Sequence, residues 1–408
     1  MSRTIFFNIP ATGHINPTLG VLRELRARGE EVLVVNTERM RPQYAGLDVR
    51  FAAYPLDEER LTLFGVTQGG SVIDNALALV HLSEQIMPFM LDLLEREQPD
   101  YVIYDSLCGW ARQAVVKLGL PAAASITTLV LLPDTLPPLL PSLLLHTLGA
   151  LLLRMPSYAR VAWRMRRRFG VKGIGIMGAV MNTAALNIVF TSSEIQMGSA
   201  QLATKGFRFV GPSFAERPAQ TDFPFDQLTR KPLIYISLGT INNQNHDFYR
   251  MCFEAFADCP AQFILSAGQR TDLKALGTPP ANFLVRNFVP QLDVLQRVEV
   301  FITHGGMNSV HEGLYYGVPL VVVPQQIEQS VVARRVVELG AGVALGDTPP
   351  YGRTSAAALR HALEQVMAAP EAYRTAAARL GKGLREAGGA ARAAEELIAF
   401  GQSQKGKR

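Results

Sequence analysis

Cysteine is nearly absent from this chain. The three that occur, Cys108, Cys252 and Cys259, are odd in number and form no Cys-x-x-Cys pair, which argues against a disulfide framework and a structural zinc site. Charge is sparse too: 18% of residues are charged and 48% hydrophobic, a globular balance rather than a disordered one. The formal net charge of +5 is small for 408 residues, whereas a nucleic-acid binder concentrates its charge in a stripe. No G-x-x-x-x-G-K-[ST] loop occurs, no G-x-G-x-x-G follows the first strand, and no G-x-S-x-G elbow is present. P-loop NTPases, dinucleotide oxidoreductases and serine hydrolases of the α/β type are disfavoured accordingly. The opening run Met1–Asn8 is too short and too soon polar for a signal peptide, so a cytoplasmic enzyme is expected. One stretch, Leu139 to Leu153, is almost wholly apolar, with Ser142, His146 and Thr147 inside it, and its fifteen residues fall short of a membrane span. It reads as a buried or pocket-lining helix, with a surface-lying helix as the alternative, because Arg154, Arg160, Arg164, Arg166, Arg167 and Arg168 follow it.

What is present is an α/β rhythm, stated twice. The length exceeds one hydrophobic core and suggests two domains of roughly 200 residues. Ile5–Ile9 reads as a strand, Pro10–Pro17 as a tight turn, and Leu19, Leu22 and Leu25 mark a helix closed by Gly29 before the strand Glu31–Val35. Tyr101–Tyr104 is a further strand, followed by a helix from Trp110 to Leu118. The pattern lapses across 214–230 and restarts with strands Leu233–Leu238, Phe263–Ala267, Val298–Thr303 and Leu320–Val323. Short apolar strands alternating with helices predict parallel sheets. The expected organisation is an N-terminal domain over 1–213, a linker over 214–230, a second domain over 231–385, a C-terminal helix over 386–400 that packs back on the first domain, and a disordered tail over 401–408.

Ligands of open parallel sheets bind beyond the carboxyl ends of the strands, and chemistry-bearing residues cluster there. Thr303-His304-Gly305-Gly306-Met307-Asn308-Ser309 takes a strand through a glycine pair into a helix. Glycines admit a close ligand, and the new helix presents unpaired N–H groups to phosphate. The same residues also suit an ordinary turn capped by Asn308 or Ser309. Gly239-Thr240 ends the first strand of the second half and is a weaker copy of the idea. Glu328-Gln329, after the fourth strand, sets a carboxylate beside an amide, suited to reading sugar hydroxyls or to opening a surface helix. His14, in the first strand-to-helix loop, is suited to accept a proton from an alcohol, and Asp105, at the end of another strand, could orient it. Each of the two could equally be a helix cap.

In their order and spacing these pieces resemble one family over nearly the full length. Gly13-His14-Ile15-Asn16-Pro17, Pro99–Asp105, Ser237-Leu238-Gly239-Thr240, Phe288-Val289-Pro290-Gln291, Thr303–Glu312 and Gly317-Val318-Pro319 through Gln329 are similar to motifs of the UDP-dependent glycosyltransferases of family 1, and among them the bacterial macrolide type. The resemblance implies a GT-B fold: two facing Rossmann-like domains with parallel sheets and a cleft between them. It implies His14 as catalytic base held by Asp105, and a donor diphosphate bound by Thr240, His304, Gly305, Gly306, Asn308 and Ser309. It further implies a nucleoside against Phe288, Val289, Gln291 and Glu312, and a sugar on Glu328 and Gln329. Plant members carry aspartate where Glu328 stands and tryptophan where Phe288 stands.

The resulting expectation is an inverting hexosyl transfer, with UDP-glucose as donor and a hydroxyl of a small hydrophobic acceptor as recipient, needing no metal and no cofactor beyond the nucleotide sugar. The alternatives are a lipid or sterol glycosyltransferase at a membrane, a dTDP-deoxysugar transferase of antibiotic assembly, and a nucleotide-sugar epimerase. Partners are expected to be the acceptor and donor, with no nucleic acid, with weak membrane-surface contact through 139–168, and with a monomeric or homodimeric state.

Overall fold

The computed structural model describes residues 2–56, 72–131, 140–171, 181–214, 223–229, 231–239, 243–348 and 351–406, with backbone only over 72–76 and 140–153. The chain divides into two compact units, one built from Met1–Ala215 with Ala387–Arg408 and the other from Glu216–Glu386.

The first unit contains β1 (Arg3–Phe7), α1 (Thr12–Ala27), β2 (Glu31–Asn36), β3 (Arg50–Ala53), α2 (Val72–Glu97), β4 (Tyr101–Asp105), α3 (Gly109–Leu118), β5 (Ala122–Ile126), α4 (Leu140–Phe169), β6 (Leu186–Val189), α5 (Ser199–Ala203) and β7 (Phe207–Phe209). The seven strands among its described residues are all parallel in the order β3-β2-β1-β4-β5-β6-β7. The central strands are buried on both faces, which is why Ile5-Phe6-Phe7 and Tyr101–Tyr104 are continuous apolar runs. One face packs Ile5, Phe7, Val102 and Tyr104 on α2, α3 and α4 residues such as Met90, Trp110 and Met165. The other packs Phe6, Tyr101 and Ile103 on Ile15, Leu22 and Leu25 of α1. Within α2, Leu77–Glu97 is, among the described residues, the one helical stretch long and apolar enough to cross a membrane. It packs against α3 and α4, as a core helix does.

The second unit contains β8 (Leu233–Ser237), α6 (His246–Phe256), β9 (Gln262–Ser266), β10 (Phe283–Arg286), α7 (Gln291–Leu295), β11 (Val300–Thr303), α8 (Met307–Tyr315), β12 (Leu320–Val322), α9 (Ile327–Glu338), β13 (Gly342–Ala344), α10 (Ala356–Ala368) and α11 (Pro370–Glu386). Its order, β10-β9-β8-β11-β12-β13, is again wholly parallel. Both sheets therefore carry the doubly wound 3-2-1-4-5-6 arrangement of a dinucleotide-binding fold. In each, the strand order reverses between the first and fourth strands, at β1/β4 and β8/β11.

Within the expected linker 214–230, residues 223–229 hold to the second unit, where Gln262 Nε2 donates to the Gln227 carbonyl at 2.7 Å and Arg297 lies over the Phe225 ring at 4.5 Å. Two expectations need correction. The turn expected at Pro10–Pro17 is shorter than the sequence suggests, because α1 begins at Thr12 and runs through Pro17. The tail expected over 401–408 is helical to Lys405, within α12 (Gly389–Lys405). This helix lies on α1 and buries Ala393, Ala394 and Leu397 beside Leu22 and Leu25. Gly401 lets it continue past the sheet, since a Cβ there would sit 2.7 Å from the Tyr101 ring, and Lys405 ends it on Asp100 at 3.1 Å.

Gly401→Leu is accordingly expected to lower stability by about 1–3 kcal/mol through overpacking, read as a fall in the thermal midpoint. Gln402→Ala, at the neighbouring exposed position, is expected to leave it unchanged.

Candidate active site

At the reversal point of the first sheet, β1 and β4 run side by side with Phe7 opposite Tyr104. The chain leaves β1 through Asn8–Ala11 into α1, and His14 falls in the first turn of that helix. Asn8 shapes the crossing: its Oδ1 accepts from Ile9 N at 2.8 Å and its Nδ2 donates to Thr18 Oγ1 at 3.2 Å. Asp105 is the last residue of β4 and is fully buried. The two side chains, 91 residues apart in sequence, meet with His14 Nδ1 2.7 Å from Asp105 Oδ2. The other carboxylate oxygen accepts from Leu107 N at 2.9 Å. A buried carboxylate held this way needs an N–H at His14 Nδ1, which leaves Nε2 as the basic nitrogen. The His14 side chain keeps 20% of its surface exposed, so the dyad has a buried end and a reachable one.

Sequence reasoning missed Thr127. It follows β5 directly, and its hydroxyl oxygen lies 3.1 Å from His14 Nδ1. The pairing of Asp105 with Ser125 across β4 and β5 brings it there. Its signal is faint: a threonine just beyond the end of an alanine-rich strand that the sequence does not mark clearly.

The second unit repeats the arrangement at β8/β11. His304 follows β11, and two glycines make room for its ring. A Cβ on Gly239 would lie 2.5 Å from His304 Cε1, and one on Gly306 would lie 2.4 Å from Nε2. Gly305 has φ +83°, and a Cβ there would lie 2.7 Å from Val322 and 3.2 Å from the Gln329 carbonyl. All three positions require glycine on steric grounds, and Gly239 and Gly305 also for their positive φ. Gly306 caps α8 without a side chain to satisfy the first-turn N–H groups, and Asn308 and Ser309 sit in that turn. His304 Nδ1 is buried without a hydrogen-bond partner among the described residues. Thr240 lies outside the described residues.

One further turn along α8, Glu312 is buried, and its carboxylate accepts from Gln291 Nε2 at 2.5 Å. Tyr235 donates its hydroxyl proton to Gln291 Oε1 at 3.1 Å, so the glutamine is held at both ends. Val289 is buried nearby in sequence, and Phe288 is 43% exposed. Gln329 is buried with its Oε1 accepting from Gln325 N at 2.7 Å, while the adjacent Glu328 is half-buried in the first turn of α9. Gly305 therefore abuts Gln329, and α8 joins it to Glu312.

Two imidazoles of this unit are neutral at pH 7. Burial lowers His304 to about 4, against a backbone hydrogen bond to Ser237, and lowers His311 to about 3, since desolvation disfavours the charged form. His311 is 1% exposed.

The chain matches, over residues 251–399, the family described as the C-terminal domain of erythromycin biosynthesis protein CIII-like proteins. It is 34% identical to the NDP-glycosyltransferase YjiC of Bacillus subtilis (strain 168) over 396 residues, 96% of each chain. It is 33% identical to a UDP-glucosyltransferase of the same organism, YdhE, over 90% of each chain. Among solved structures it is similar to the glycosyltransferase of kitacinnamycin, with TM-score 0.81, 28% identity and 98% of both chains covered.

An unfolded chain protonates these two histidines near 6.5, and the folded chain does not until about 4 and about 3. Their contribution to stability is thus complete above about pH 6.5 and falls as pH drops toward 4. Urea unfolding across that window should show a declining free energy, with a shallower decline in His311→Leu. An equal slope in the two proteins contradicts the assignment.

Proposed function

The chain belongs to the bacterial glycosyltransferases of family 1, with the GT-B fold, and on that premise we propose that it transfers a hexose from UDP-glucose to a hydroxyl of a small apolar acceptor, with His14 as general base. The observation that carries this reading is the 2.7 Å contact between His14 and the buried Asp105. A neutral imidazole protonated at Nδ1 can accept the acceptor's proton at Nε2 as its oxygen forms a bond to the anomeric carbon. The imidazolium so formed is stabilised by the Asp105 carboxylate. Attack on one face expels the nucleoside diphosphate from the other, so the anomeric configuration inverts. No proton is required for that departure if the developing charge is met at the start of α8, where Gly305, Gly306, Asn308 and Ser309 supply N–H and side-chain donors. His304, whose one N–H in the neutral ring is engaged by the Ser237 carbonyl, would donate to the diphosphate by taking up a second proton there. We propose that Thr240 joins them and that no metal is needed.

Glu312 supports the choice of UDP. A buried carboxylate can accept from both ribose hydroxyls, and a 2′-deoxy nucleotide leaves part of that capacity unmet, which selects strongly in a desolvated site. Phe288, Val289 and Gln291 would flank the base, and Glu328 and Gln329 would read the sugar hydroxyls. A dTDP-deoxysugar donor is the second reading. It is favoured by the mycarosyltransferase of Streptomyces fradiae, 29% identical over 97% of this chain.

Calorimetric titration with UDP, dTDP and GDP in buffer containing EDTA separates the readings. UDP is expected to bind most tightly, and Glu312→Ala to weaken it by about 10-fold or more. His14→Ala is expected to bind UDP like the unaltered protein and to lose transfer by ~10²-fold or more. Tighter binding of dTDP would establish the second reading, and undiminished transfer by His14→Ala would remove the base.

A further inference from the structure

Between Thr135 and Ser193 the chain has no aspartate or glutamate and has seven basic residues, more positive charge than the net +5 of the entire molecule. Six of the seven are arginines of α4, from Arg154 to Arg168. In this second half of the helix the inward side is Tyr158, Val161, Met165 and Phe169, a helical stripe on an element that packs against α2. Arg164 is taken up by Glu84 in two bonds of 2.8 and 2.7 Å.

The outward side is different in kind. Met155, Ala159 and Trp163 follow one another at four-residue spacing and are exposed, Trp163 by 58% and Met155 by 37%. Exposed Arg160, Arg166 and Arg167 flank them, and Arg167 lies over the Trp163 ring at 5.2 Å. Lys117, at the end of α3, extends the basic surface: its Nζ would lie 3.6 Å from a Cβ at Gly170. The chain's other tryptophan, Trp110, is fully buried. A solvated helix face accounts for the arginines alone. It does not account for an exposed indole and thioether aligned among them.

We propose that this face of α4 docks on an anionic lipid surface, with the arginines over headgroup phosphates and Trp163 and Met155 at the acyl boundary. Basic residues beside interfacial tryptophan are what such a surface recognises, and each arginine near an anionic bilayer strengthens binding about 5-fold. A nucleic-acid duplex would engage the charge but, with its bases stacked inside, would give the Met155–Trp163 stripe no apolar partner. The docking uses no residue of the proposed reaction. It brings the enzyme to the phase in which an apolar acceptor accumulates.

The test is sedimentation of the full chain with vesicles of phosphatidylcholine, pure or mixed two parts to one with phosphatidylglycerol, while tryptophan emission is followed. Binding to the mixed vesicles alone, weakened by salt, with a blue shift of emission, is expected. Arg160→Gln, Arg166→Gln and Arg167→Gln together should lower the partition coefficient about 100-fold. Trp163→Ala should remove the blue shift, and both variants should keep transfer to a soluble acceptor. Failure to bind the mixed vesicles at low salt overturns the proposal, as does binding that the triple variant retains. Equal affinity for a DNA duplex with no blue shift on vesicles would also overturn it, as a general polyanion site.

Discussion

The hydrogen bond between His14 and Asp105 joins the two strands at which the first sheet reverses its order, and much of that unit is arranged to make it. Asp105 is wholly buried, and an uncompensated carboxylate in such a place costs several kcal/mol. It is tolerated because Leu107 N and His14 Nδ1 satisfy it. That satisfaction requires α1 to start at Thr12, close behind β1, which Asn8 arranges by tying Ile9 and Thr18 together. The requirement also fixes the tautomer of His14 and so decides which nitrogen is available for chemistry.

The second unit solves a related problem with space instead of charge. His304 is wedged where Gly239 and Gly306 lack side chains, in surroundings that keep the ring neutral. Its Nδ1 has no partner among the described residues, a costly state for a buried polar atom that a hydrogen-bond donor, or a phosphate oxygen once the ring takes up a second proton, would relieve. Glu312 follows the other strategy: its carboxylate is held by Gln291, which is itself held by Tyr235. Donor groups and acceptor groups thus lie one helix turn apart along α8, matching the succession of diphosphate and ribose in a nucleotide.

Much of this was legible in the sequence. Long apolar runs such as Leu233–Leu238 and the glycine turn at 305–306 mark strands and strand ends directly, because parallel strands buried on both faces leave no alternation to disguise them. β5 was hidden by its alanines, whose β preference is weak, and Thr127 was hidden with it. Short strands such as β7 and β13 take their identity from pairing with neighbours, which no local pattern encodes. The end of α12 was misread as a tail because its final turns look polar, while its course past the sheet depends on Gly401 meeting Tyr101, a contact across some 300 residues. Asp105 could be nominated from its place at a strand end, but its meeting with His14 is a product of strand order and was visible only in three dimensions.

The most direct measurement of the account is acceptor turnover by Asp105→Asn, with nucleotide affinity measured on the same protein. If Asp105 fixes the tautomer and offsets the charge of His14, turnover should fall by ~10³-fold or more while nucleotide binding, proposed to rest on the other unit, is unchanged. Turnover within a few-fold of the unaltered enzyme would show that the dyad is a structural contact and that the proton leaves by another route.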